Sequence, residues 1–111
     1  MAWGAWAWGA AAGLGLLLTA CQSKLPDPES CLANVEANAL NQALEHCNQV
    51  VAAHPRDPRP LNDRFLLHTL MQNKAAACVD INKAAGLLKR QQGEILEELN
   101  DEVQVRLDSC R

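Results

Sequence analysis

Apolar and polar positions divide this chain at Cys21. No charged side chain precedes it, and Ala10 to Leu18 is an unbroken run of apolar and small residues. Beyond Cys21 the pattern becomes periodic. Leu40, Ala43, Leu44, Cys47, Val50 and Val51 recur at the three-and-four spacing of an amphipathic helix. The same spacing links Leu61, Phe65, Leu66 and Leu70, with Leu67 beside them. It links Ala75, Cys78, Val79, Ile81, Ala85 and Leu88, and then Leu96, Leu99, Val103, Leu107 and Cys110. A shorter stripe of Cys31, Leu32 and Val35 comes before all of these.

Punctuation between the stripes sets the element ends. Asp27-Pro28 and Asp57-Pro58 each place a capping carboxylate before a proline suited to the first helical position. Pro60 still falls in the tolerated first turn. Glu36-Ala37-Asn38 reads as a turn, with Asn38 a cap for the next helix. His54-Pro55 closes that helix and Asn73 marks another break. Lys89 and Arg90 suit a helix C-terminus, Gly93 suits a left-handed terminating position, and Glu94, Glu97 and Glu98 suit the start of the last helix. The expected fold is all-α, with about five short helices in antiparallel hairpins and no credible strand. Ala, Leu, Gln, Glu and Asn dominate the part after Cys21, which agrees with helix.

Setting Cys21 aside leaves Cys31, Cys47, Cys78 and Cys110. An even number in a small exported domain reads as two disulfides. In an antiparallel hairpin, facing residues are equally far from the turn. Cys31 and Cys47 are centred on Ala39, and Cys78 and Cys110 on Glu94, both at predicted turns. Cys47 and Cys78 are centred near Asn62, inside a predicted helix. The expected pairs are therefore Cys31–Cys47 and Cys78–Cys110. No Cys-x-x-Cys occurs, and no Cys/His group has zinc-finger spacing, so redox or metal chemistry is the less favoured use of these residues.

Leu18-Thr19-Ala20-Cys21 resembles the lipobox of bacterial lipoprotein signal peptides. The resemblance implies cleavage before Cys21 and lipid on that residue. It divides the chain into a signal peptide at 1–20, a lipidated tether at 21–27 and a helical domain at 28–111. A short apolar core rich in Gly and Ala favours a cleaved signal over a membrane-spanning helix. No Lys or Arg lies before Cys21, so the positive charge comes from the α-amino group or from a start further upstream. Gln22 rather than Asp follows the cysteine, which by the same resemblance implies the outer membrane, facing the periplasm. A membrane anchor through two or more acyl chains is stable, whereas one chain is marginal.

A second resemblance, covering roughly Asn38 to Leu88, is to tetratricopeptide repeats. Leu40, Ala43, Cys47, Val50 and Pro55 have the spacing of that family's second helix and closing proline, and Asp57 to Leu88 resembles a full unit of about 34 residues. The family's large aromatic and Leu-Gly pair are missing from their usual places. A small helical bundle is the alternative fold.

Charge and composition exclude several functions. The chain has 10 Lys and Arg against 13 Asp and Glu, a net charge of −3, and no basic patch interleaved with aromatics, so nucleic acid is not an expected partner. Phe65 is the sole aromatic residue after Cys21, which disfavours a sugar-stacking site. No phosphate loop, Gly-x-Ser-x-Gly elbow, His-Glu-x-x-His or calcium loop occurs, so neither enzyme nor cofactor is expected. His46, His54 and His68 are each isolated in the sequence, and Glu94, Glu97, Glu98, Asp101 and Glu102 read as a solvated helix face. Arg56 and Arg59 on a proline-stiffened connection, with Arg64 one turn on, are the candidate partner contacts. The expected role is a membrane-tethered, non-catalytic interaction or assembly module with an envelope protein as partner. The alternative is a small-molecule or metal binder with a site in the core near Phe65 and His68.

Overall fold

A computed structural model describes residues 24–91 and 94–111. Cys21, the apolar N-terminal segment and Gly93 lie outside the described residues. Four helices follow in order: α1 (Leu40–Ala53), α2 (Pro58–Leu70), α3 (Lys74–Leu88) and α4 (Glu94–Asp108). There is no strand among the described residues. Each helix packs on the next through a short connection, and α2 with α3 is the most extensive pair. Both disulfides pair as expected, with Cα–Cα separations of 4.5 Å for Cys31–Cys47 and 5.7 Å for Cys78–Cys110.

The count is four helices because the segment opened by Asp27-Pro28 is not helical. Asp27 instead closes tight turns: its Oδ1 accepts from Glu29 N at 2.8 Å, and its carbonyl accepts from Ser30 N at 3.0 Å. A second turn runs from Ser30 to Ala33. So short a segment gains too few backbone bonds to offset helix nucleation, and it is held by side-chain docking that buries Cys31 and half-buries Leu32 and Val35. Cys31 packs with Ala43, Cys47 and Leu67, and Leu32 and Val35 lie against the same cluster. Arg59 reinforces the docking, bonding Glu29 at 2.9 Å and Asp57 at 2.7 Å. Asn38 does not cap α1. The N-cap is Ala39, with no side-chain bond, so α1 relies on burial of Ala43, Cys47 and Val50.

Three other expected ends hold, while α3 stops at Leu88, short of Gly93. His54 is the C-cap of α1. Asp57 caps α2, accepting from Arg59 N at 3.0 Å. Asn73 caps α3, accepting from Ala76 N at 3.1 Å. Between α2 and α3, Gln72 takes φ 60°. Asn73 N donates to His68 O at 2.8 Å and Gln72 N to Thr69 O at 3.0 Å. This is a Schellman closure with glutamine where glycine is usual.

The core has two parts, and α2 contributes to both. Leu61 and Phe65 join Ala77, Ile81, Ala84, Ala85, Leu88 and Val103, with Leu96, Leu99 and Leu107 at the margin. Leu67 joins the Cys31–Cys47 cluster. Three residues placed on apolar faces by periodicity are exposed: Leu70, Ala75 and Val79.

Candidate functional site

The end of α2, the start of α3 and the residues after α4 enclose a groove of about 270 Å³. Phe65 and Thr69 come from successive turns of α2, and Gln72 from the Schellman closure. Lys74, Ala77 and Cys78 share a face of α3, and Ser109 and Cys110 close the far side. The Cys78–Cys110 bond crosses between these walls and holds the end of α4 against the start of α3. The Thr69 hydroxyl donates to Phe65 O at 2.8 Å, so it presents its methyl group at little polar cost. The Arg106 guanidinium lies 5.7 Å from the Phe65 ring centroid, within cation–π range. Arg106 is itself held by Asn62, whose Oδ1 accepts at 2.7 Å, and by an ion pair with Glu102. No carboxylate lines the groove, and Lys74 makes no ion pair among the described residues.

The arginines singled out in the sequence do not form one surface. Arg64 turns inward: its Nε and Nη2 donate to the two Asp80 oxygens at 2.7 Å each, and Nη1 donates to Asn48 Oδ1 at 3.0 Å. This fork ties α2 to α3 and α1. Arg59 is engaged by Asp57 and Glu29. Arg56 is exposed, and its carbonyl accepts from Gln91 Nε2 at 2.8 Å. Phe65 lines the groove but His68 does not. His68 Nε2 lies 3.6 Å from Asp80 in the Arg64 cluster. Sequence reading missed Asp80, because an acid between Val79 and Ile81 gives no hint that α1, α2 and α3 enclose it.

One serine meets a histidine. His46 Nε2 lies 3.2 Å from both the hydroxyl and the carbonyl oxygen of Ser30. The carbonyl can only accept, so Nε2 carries the proton in that contact and is no base toward the hydroxyl. The Ser30 hydroxyl donates to Asp27 O at 2.6 Å. The arrangement braces a turn. Among the described residues no group of three or more His, Cys, Asp or Glu is placed to hold a metal ion, and no helix is long and apolar enough to cross a membrane.

Two carboxyls are displaced from their ordinary acidity. Burial pushes Asp57 up, but the Arg59 side-chain and backbone hydrogen bonds and the charges of Arg59 and His54 outweigh it and hold Asp57 below its usual range. Asp63 is pushed up to about 6, first by burial and further by the Glu102 and Glu29 charges, which outweigh the pull of Arg106 and Arg59. The folded state thus binds a proton at Asp63 more readily than the unfolded state. Stability therefore rises as pH falls from 7 toward 4, and below that range Asp57 begins to be protonated and stability is lost. Asp63→Asn will raise stability at pH 7 by about 1 kcal/mol, since solvent at this half-buried position cuts the ~3 kcal/mol that the shift would imply. Urea unfolding at pH 7, 6 and 5 checks this: the variant should lose the wild type's gain on acidification.

No protein-family model, curated protein or solved structure matches the chain.

Proposed function

We propose that this chain is a lipid-anchored protein of the bacterial envelope that acts as a non-catalytic interaction module, with the groove over the Cys78–Cys110 bond as its contact point. The groove carries the reading. It is open to solvent, walled by Phe65, Ala77, the Thr69 methyl and a disulfide, and has one cation at its rim. At about 270 Å³ it falls just below the ~300–1,000 Å³ of small-molecule sites. It suits one or two apolar side chains of a protein partner better than an enclosed ligand, which ranks the small-molecule alternative second.

The address is supported by Leu18-Thr19-Ala20-Cys21 and by two disulfides, which persist in oxidising compartments. Cleavage leaves Cys21 only a few residues before Pro26, whose carbonyl accepts from His54 Nε2 at 2.6 Å. The anchor thus leads directly onto the end of α1. The finer fold reading is tetratricopeptide-like. It is supported by α2 and α3 forming a helix-turn-helix between Asp57 and Leu88, preceded by a helix that buries Ala43, Cys47 and Val50 and ends just before Pro55. Helical repeats present surfaces suited to protein partners.

Expression in a Gram-negative host tests both parts. The mature protein should begin at an acylated Cys21, and Cys21→Ala should keep its first 20 residues. A photocrosslinking side chain at Thr69 should yield a discrete envelope-protein adduct that the same group at Glu45 on α1 does not. An intact Met1 with unmodified Cys21 sinks the anchor. Absence of a Thr69-specific adduct sinks the partner site.

A further inference from the structure

The two disulfides stand in different physical situations. Cys31 and Cys47 are 1% and 0% exposed. They are covered by Ala43 and Leu67, and their sulfurs lie 3.7 and 3.8 Å from the Pro60 carbonyl oxygen. Cys78 and Cys110 are half-buried, and both line the open groove. Exchange requires a thiolate to reach a disulfide sulfur, so access separates the pairs before any difference in intrinsic reactivity.

The surroundings of the exposed pair are also asymmetric. Cys78 lies in the second turn of α3, and Lys74 sits one turn before it on the same face. The ammonium favours a thiolate at Cys78. Cys110 lies just beyond the C-terminus of α4, where the helix dipole opposes negative charge, and the neighbouring Asp108 and Arg111 charges are paired with each other at 3.5 Å. A disulfide with such ends breaks preferentially toward the better-stabilised thiolate, because the leaving sulfur of lower basicity departs faster.

We propose that Cys78–Cys110 is a thiol–disulfide exchange site, opened by a dithiol that enters through the Phe65–Lys74 groove, with Cys78 as the leaving sulfur. The incoming thiolate bonds to Cys110 Sγ. The Sγ–Sγ bond breaks, and its electron pair passes to Cys78 Sγ beside Lys74. The second thiolate of the dithiol then attacks its own sulfur in the mixed disulfide and releases Cys110. The dithiol leaves as a disulfide, the pair gains two electrons, and the two thiol protons end on Cys78 and Cys110. Reduction frees Ser109 and Cys110 from α3 and so unfastens one wall of the groove. The proposal goes beyond the interaction role and is independent of lipid on Cys21, since every group it uses lies between Phe65 and Cys110.

The test uses the oxidised mature chain under limiting dithiothreitol, with acid quenching, alkylation and peptide mapping over time. Cys78 and Cys110 should become alkylatable at least about tenfold faster than Cys31 and Cys47. With glutathione alone, the trapped mixed disulfide should sit on Cys110. Lys74 is exposed, so Lys74→Gln should keep the fold while slowing the opening of Cys78–Cys110 about two- to fivefold, and Lys74→Glu should slow it further. Equal opening rates for the two pairs would overturn the site. Glutathione found on Cys78, or opening rates unmoved by both Lys74 variants, would overturn the assigned direction.

Discussion

The Cys31→Ala/Cys47→Ala double variant will lose about 4–5 kcal/mol of stability, more than the ~3–4 kcal/mol lost by Cys78→Ala/Cys110→Ala. Loop length alone orders the pairs the other way. The bridges span sequence separations of 16 and 32, worth about 3 and about 4 kcal/mol in chain entropy. Packing reverses the order. The first pair is fully buried where the 24–39 segment meets α1 and α2, so truncating it also leaves a hole. The second pair borders an open groove and leaves none. The 24–39 segment has no helix of its own, and its other ties are the packing of Leu32 and Val35, the Arg59–Glu29 ion pair and the His46–Ser30 and His54–Pro26 contacts. It should therefore lose its amide-exchange protection selectively in the first variant. Urea unfolding of both variants checks the order: a larger loss for the second pair would mean that loop entropy governs.

Asp80→Ala will cost about 3 kcal/mol, the largest effect expected of a single substitution. The Asp80 side chain is 4% exposed and receives both arms of Arg64, which is itself 20% exposed. Removing the acid strands a guanidinium among helices, a change that costs about 3–5 kcal/mol in buried pairs. The partial exposure of Arg64 puts the estimate at the low end. Replacing both partners with apolar residues, Arg64→Met with Asp80→Leu, should restore most of the loss, because the stranded charge and not the missing attraction is the main cost. Chemical denaturation of the two variants measures this. A loss below about 1 kcal/mol in Asp80→Ala would show that Arg64 swings out to water.

Helix ends were more legible in the sequence than helix faces. Asp57, Asn73 and the His54-Pro55 stop work through bonds to neighbours within a few residues, so their meaning travels with the local sequence. Faces depend on how many neighbours a helix has. A single stripe places Leu70 with Phe65 and leaves Leu67 beside it. In the fold α2 lies between α1 and α3, so Leu67 is buried against the first disulfide and Leu70 is exposed. On α3 the buried side runs through Ala77, Asp80, Ile81, Ala84 and Ala85, and Val79 faces out. Small residues and an acid carry little hydropathy signal, and only the Arg64 fork explains why Asp80 belongs inside.

The cysteine pairing was legible for a reason that only half survives. Equal spacing about a turn holds for Cys78 and Cys110, which join α3 to residues just beyond α4. For Cys31 and Cys47 the same spacing works because the chain still reverses before Ala39, although one arm is turns and not helix.

By itself, then, the sequence determined an all-helical domain, most of its caps, both disulfides and the lipobox-like Leu18-Thr19-Ala20-Cys21, because each is written in local spacing or residue chemistry. Only the tertiary structure decided that the 24–39 segment docks without a helix, that Arg59 and Arg64 serve the fold, and that one disulfide is sealed in the core while the other walls a groove. Those outcomes depend on which surfaces meet, and residues far apart in sequence, such as Arg64 with Asp80 and Phe65 with Cys110, acquire their roles only when the helices bring them together.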